Sequence, residues 1–340
     1  KLFILEDCTV SGGKRFGFYS QYATWIGHIG TSFTNSASEN QLEHQWYVNI
    51  CRQIFVDDCY FANGTGSGNF GMKQNSVVDA LFRNCELTDL RTAISLGTND
   101  SDYKGTGTFE NPVDGDPANT NTINEGHIIY DIGDDDQCGG IRVSQIAGDT
   151  IIRNCIFDDM TIDPDYGTGT ITLDNQAWTE ASVYILNNVF YSNDGEDIDL
   201  GSQGVADSYA KIQVWNNILY RDTTPGSNDH FYEISDLVHQ SEWNFDYNCF
   251  YWPTYSATSN KTFEVNSTYE SFNSWKSTYS QDTNSIWGDP KFNDPGNDDF
   301  VLLVTSPCID AGGTMKRSHD AIDETERPVN SVWDIGVYED

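Results

Sequence analysis

The sequence predicts an all-β solenoid, one chain winding through short parallel strands, and three observations predict it. A seven-residue phrase recurs along the chain. A second, shorter phrase alternates with it. No segment before Tyr269 to Lys276 follows the 3.6-residue period of a helix.

The first phrase reads Phe55-Val56-Asp57-Asp58-Cys59-Tyr60-Phe61, then Leu81 to Leu87, Ile151 to Phe157, Ile185 to Tyr191, Val214 to Tyr220 and Phe245 to Tyr251. Leu5 to Val10 opens the series, and weaker copies sit at Ile26 to Ile29 and Ile129 to Ile132. The second phrase gives Gly17 to Ser20, Gln45 to Val48, Gly71 to Gln74, Ala93 to Leu96, Gly140 to Val143, Gly169 to Leu173, Asp197 to Leu200 and Tyr232 to Ser235. Each copy alternates with period 2, as a strand does. A single coil cannot bury its inward side chains, so stacked neighbours must form the core. Asp58, Asn84, Asp131, Asn154, Asn188, Asn217 and Asn248 are expected to stack as a ladder in one tight turn, where Asn and Asp tolerate left-handed backbone.

These repeats resemble the right-handed parallel β-helix (pectate-lyase-like) superfamily over residues 1–251. The resemblance implies a single-stranded right-handed parallel β-helix of about nine coils. Residues 252–340 are similar to the C-terminal region of secreted β-helix repeat proteins with a choice-of-anchor-type end: Ser306-Pro307-Cys308-Ile309-Asp310-Ala311-Gly312, Glu326-Arg327-Pro328 and Asp334-Ile335-Gly336 carry that likeness. The family's Asp-Gly-x-x-Arg-Pro run reads Asp323-Glu324-Thr325-Glu326-Arg327-Pro328 here, without the Gly. This region is expected to form a cap over the open end of the solenoid, whose last strand edge would otherwise template aggregation.

Cys8, Cys59, Cys85, Cys155 and Cys249 align at one repeat position, shared with Ile29, Ile132, Val189 and Ile218. They are read as buried thiols packing as small hydrophobes. No CxxC pair suggests a metal centre. Cys308 is a candidate disulfide partner for Cys249, tying cap to coil. Residues 30–43, 97–126 and 201–209 are expected to be loop insertions flanking a groove. The chain opens at Lys1 on a strand phrase without an initiator Met, which fits a processed product with a first coil open to self-assembly or to another chain.

Charge narrows the function. Over 340 residues, 52 Asp+Glu against 18 Lys+Arg give a formal net charge of −34. Such a surface repels phosphate and disfavours nucleic acid. No apolar run reaches the roughly 18 residues of a membrane span. The acidity suits an extracellular or cell-surface setting, where counterions screen self-repulsion.

The resemblance places substrate across the sheet built by the second phrase. Its outward positions read Tyr19, Tyr47, Lys73, Ser95, Arg142, Thr172, Asp199 and Glu233. Lys73 and Arg142 are expected about 10 Å apart, two coils along. With His44 and Tyr47 they offer the parts of a polysaccharide lyase: a cation on the uronate carboxylate and a base for the acidified proton. Asp199, with Glu196, Asp197, Asp158 or Asp159, offers instead the carboxylate pair of a glycoside hydrolase. Asp194, Glu196 and Asp197 are candidate Ca²⁺ ligands. The loop from Asp114 to Glu125 lacks the acidic fifth and Gly sixth positions of a calcium loop. The expectation is therefore a carbohydrate-active protein, lyase or hydrolase, acting on a polysaccharide. The competing expectation is a non-catalytic adhesin or filament subunit. There is no GxSxG, HExxH or phosphate-binding loop.

Overall fold

The computed structural model describes residues 2–36, 44–64, 70–97, 120–132, 139–144, 146, 148–161, 169–173, 182–200, 211–222, 229–235, 240–259, 261–315, 317, 320–323, 325–329 and 332–339. Within them the chain is an all-β stack of parallel strands. Each coil contributes three strands, and strands of neighbouring coils pair in parallel register to make three long faces. Sheet I starts with Leu2–Glu6 and Trp25–Ile29 and ends at Trp243–Asp246. Sheet II runs from Thr9–Ser11 through Cys249–Tyr251 to Ile286–Trp287, ten strands in all. Sheet III runs from Phe16–Gln21 to Phe263–Val265. His44–Asp57 and Phe70–Arg83 bend from sheet III into the next strand of sheet I, which joins these two faces into one 17-stranded sheet.

The first repeat phrase is thus two strands around a corner, not one. The corner residue is left-handed at Asp7, Asp58, Asn84, Asn154, Asn187 and Asn216. Gly30 and Gly126 take the same corner, and a Cβ on Gly126 would lie 2.6 Å from Asn84 Oδ1. Side chain and backbone sign both call for glycine there. Asp131 departs from the expected ladder: it lies in the sheet II strand Ile128–Ile132 and turns the next corner, as do Asn63, Asp89 and Asp159.

The ladder itself is one residue past the corner. Asn217 Oδ1 accepts from Asn188 N at 3.0 Å and Nδ2 at 2.9 Å; Asn217 Nδ2 donates to Ile185 O at 3.0 Å and to Asn248 Oδ1 at 3.1 Å. Cys8, Cys59, Cys85 and Cys155 occupy this same position, as the stacked carbonyl bonds from Cys8 through Thr31, Cys59, Cys85, His127, Cys155 and Asn188 show. The expected alignment with Val189 and Ile218 holds only for Cys249, which starts a strand. The other thiols fill a turn position where Asn, Thr and His also fit, because a side chain there can bond the backbone of an adjacent coil. His127 does so, accepting from Cys85 N at 3.2 Å. His28 lies inside among Phe18, Phe33 and Trp46, fully buried.

Residues 252–340 divide the task assigned to a cap. The helix α1 (Phe272–Tyr279), with a Ser271–Ser274 capping box, closes the end: Trp275 stacks on Phe263 of the ninth coil at 5.5 Å and 4°. The described residues from Phe292 onward form a strap along the outer face of sheet II. Phe292, Phe300, Leu302, Ile335 and Val337 cover Ile156, Val189, Ile218 and Cys249. Two expected insertions also contain coil strands, Ser32–Thr34 in sheet II and Thr120–Glu125 in sheet I.

Candidate functional site

Sheet III positions the candidate site. Ile94, Ile141, Ile171, Ile198 and Tyr232 turn into the core, so the residue after each points outward. Those outward residues form one unbroken register row: Tyr19, Tyr47, Lys73, Ser95, Arg142, Thr172, Asp199, Glu233 and then Glu264. Lys73 and Arg142 both pair with Ser95, two rungs apart, or about 9.6 Å. A second outward column carries Phe16, His44 and Phe70 at one end and Glu196 and His230 at the other.

The row is chemically graded. At the first end the His44 ring lies 5.3 Å from Tyr47 and 5.0 Å from Phe70. The Lys73 ammonium sits 4.9 Å above the Phe70 ring. Tyr47 Oη is 2.8 Å from the Asn75 amide. Lys73 is only 7% exposed, and burial together with the Arg142 charge pushes its ammonium down to about 8. Lys73, His44 and Tyr47 are thus gathered, with half-buried Arg142 two rungs farther along the row, beyond Ser95.

The other end is acidic. Glu196 is 2% exposed and Asp199 fully buried, while Glu233 is half-buried. Burial raises the Glu196 carboxyl to about 9, helped by the charge of Glu233, a hydrogen bond with it, and the charge of Asp199. His230 Nδ1 lies 3.0 Å from Lys261 O, and its Nε2 is 3.1 Å from Glu264 Oε2. Burial lowers His230.

Asp197 points elsewhere. Its carboxylate faces Arg221 at 3.3 Å and Asn193 Nδ2 at 3.4 Å. Burial outweighs the guanidinium and pushes Asp197 up to about 7. Asp194 is exposed at the preceding turn. The three residues expected to hold Ca²⁺ are therefore not brought together: Glu196 joins Glu233, Asp197 joins Arg221, and Asp194 faces solvent. Among the described residues no three His, Cys, Asp or Glu side chains are grouped to hold a metal ion. Asp114 to Asn119 lie outside the described residues. Asp158, offered as a partner for Asp199, belongs to sheet II, beside Asp298 of the strap.

Arg221 stands outside the residues that the repeat pattern singles out. Fully buried, it donates to Gly195 O at 2.6 Å and His230 O at 2.7 Å, and also to Asn193 O. Its guanidinium lies 5.3 Å from the Trp252 ring and 5.7 Å from Phe231. It thereby fixes the backbone where the strands bearing Glu196 and Glu233 begin. The available signal was a scarce Arg directly after a repeat phrase, Ile218-Leu219-Tyr220-Arg221.

The chain matches no known family model, and no curated protein matches it.

Proposed function

We propose that the chain is an extracellular glycoside hydrolase that takes an acidic polysaccharide along the outer face of sheet III. The observation that carries this reading is the Glu196–Glu233 contact. Burial and that contact hold the Glu196 proton at neutral pH, which makes Glu196 the acid for the leaving oxygen. A pair that flanks a glycosidic bond stands about 5–10 Å apart, wider than a hydrogen bond, so the second carboxylate is assigned to Asp199 and Glu233 tunes the acid. Lys73 and Arg142, farther along the row, supply the positive charge that an otherwise acidic protein needs to hold uronate groups. Tyr19, Tyr47, Arg142, Glu233 and Glu264 are the members of the row open to solvent, the ones a glycan along the coil axis would touch first.

The lowered ammonium of Lys73 supports a second enzymatic reading, a lyase in which Lys73 removes the proton and Arg142 neutralises the carboxylate. A panel of neutral and acidic polysaccharides separates the two. Hydrolysis releases reducing ends without ultraviolet-absorbing unsaturated products and is lost in Glu196→Gln. Unsaturated products lost in Lys73→Ala would replace hydrolase with lyase. The non-catalytic reading draws on exposed apolar side chains of the first coils, Leu2 at 69%, Ile4 at 55% and Trp25 at 52%. No turnover on any glycan, with ordered polymers by electron microscopy, would establish that reading instead.

A further inference from the structure

On sheet II the first outward column runs Glu86, Ile128, Ile156, Val189, Ile218 and Cys249. The strap covers the later rungs: Ile156 is 3% exposed, Val189 0% and Ile218 1%. The cover stops one rung short, and Ile128 is 43% exposed. A groove of about 400 Å³ opens at that edge, floored by Ile128, Ile156, Phe300 and Ile322. Its rim carries Glu86, Asp158, Asp298 and Asp323, and no Lys or Arg lines it among the described residues. The Tyr130 hydroxyl donates to Glu86 Oε1 at 2.6 Å and orients that carboxylate.

We propose that this groove binds an organic ammonium carried on an apolar alkyl body. The alkyl part continues the strap's apolar cover onto Ile128. The ammonium meets the rim carboxylates, whose uncompensated like charge is its complement. Asp158 and Asp298 share a hydrogen bond, and burial, that bond and the charges of Asp298, Asp159 and Asp131 raise Asp158 to about 7. A bound cation relieves this repulsion. The site lies on another face from the Glu196 row, so it stands or falls independently of the hydrolase reading.

Titration calorimetry with 1-hexylamine tests it. Hexylammonium is expected to bind, with 1-hexanol and ammonium chloride each at least about tenfold weaker, because each lacks one half of the complement. Asp298→Asn and Ile128→Ser, both at exposed positions, are expected to weaken hexylammonium by about tenfold while leaving the fold intact. Nα-acetyl-lysine amide binding as tightly as hexylammonium would identify a lysine side chain as the natural source. Weaker binding would identify a free alkylamine. Equal affinity for hexanol, indifference to both substitutions, or no heat of binding would overturn the proposal.

Discussion

The thiols of Cys249 and Cys308 share a hydrogen bond inside the apolar cluster between sheet II and the strap, both fully buried. Burial, then the Cys308 contact, raises the Cys249 thiol well above its ordinary range, so the reduced pair is slow to react. Oxidised glutathione is nevertheless expected to convert it, two thiols giving one disulfide while the glutathione leaves as two thiols. On the chain-entropy account, closing so long a loop stabilises by about 4 kcal/mol. Alkylation and mass spectrometry of the denatured, unreduced protein should return the two peptides as one. Recovery of both as alkylated thiols after oxidation would refute the link.

Arg221 is expected to be the costliest single cation to remove. Arg221→Met leaves Asp197 buried without its counter-charge and three carbonyls without their donor, a loss of about 3–5 kcal/mol. Adding Asp197→Leu should restore part of it, since the uncompensated charge is then gone. Urea unfolding of the single and double variants measures both. A single-variant cost below about 1 kcal/mol would mean the guanidinium is not the anchor.

The Asn ladder makes a graded prediction. Asn217 joins three coils through four hydrogen bonds, so Asn217→Ala strands the buried Asn188 amide and should cost about 2–3 kcal/mol. Cys155→Ala removes only a weak thiol donor to Arg153 O at the same turn position, and should cost less. Equilibrium unfolding that ranks them the other way would show that packing, not hydrogen bonding, governs this column.

What was legible follows from these contacts. Period-2 alternation identified the whole outward row from Tyr19 to Glu233 in its true register, because a slip of one residue would expose Ile141 or Ile198. The corner was harder. A left-handed residue shifts the inward position by one, so Cys155 and Cys249 look equivalent in sequence yet stack on Asn188 and Ile218 respectively. Arg221 was hidden because three of its partners are carbonyls, which carry no sequence signature, and the fourth, Asp197, is one of many acids. The strap was misplaced because an apolar segment does not declare whether it covers the end of a solenoid or its side.

Protonation of Glu196 gives the closing test of the acidic site, through stability rather than turnover. Its folded carboxyl is raised to about 9, whereas the unfolded chain titrates near the ordinary value of 4.5. Between those values the folded state holds a proton that the unfolded state has lost, so stability falls as pH rises. Asp158 and Asp197, raised to about 7, act in the same direction but are spent above that pH. Lys73, lowered to about 8, opposes them from there upward, because the unfolded chain then binds the extra proton. His28, lowered to about 4, costs stability only below the ordinary histidine value of 6.5. Asp158, Asp197 and Lys73 all titrate partly between about pH 7 and 8, so it is the difference between parent and Glu196→Gln across that interval that isolates Glu196. Thermal melts are expected to drop more steeply across it in the parent protein than in Glu196→Gln. Parallel slopes in the two proteins would mean that Glu196 is ionised in the fold, and the acid of the proposed reaction would have to be sought elsewhere.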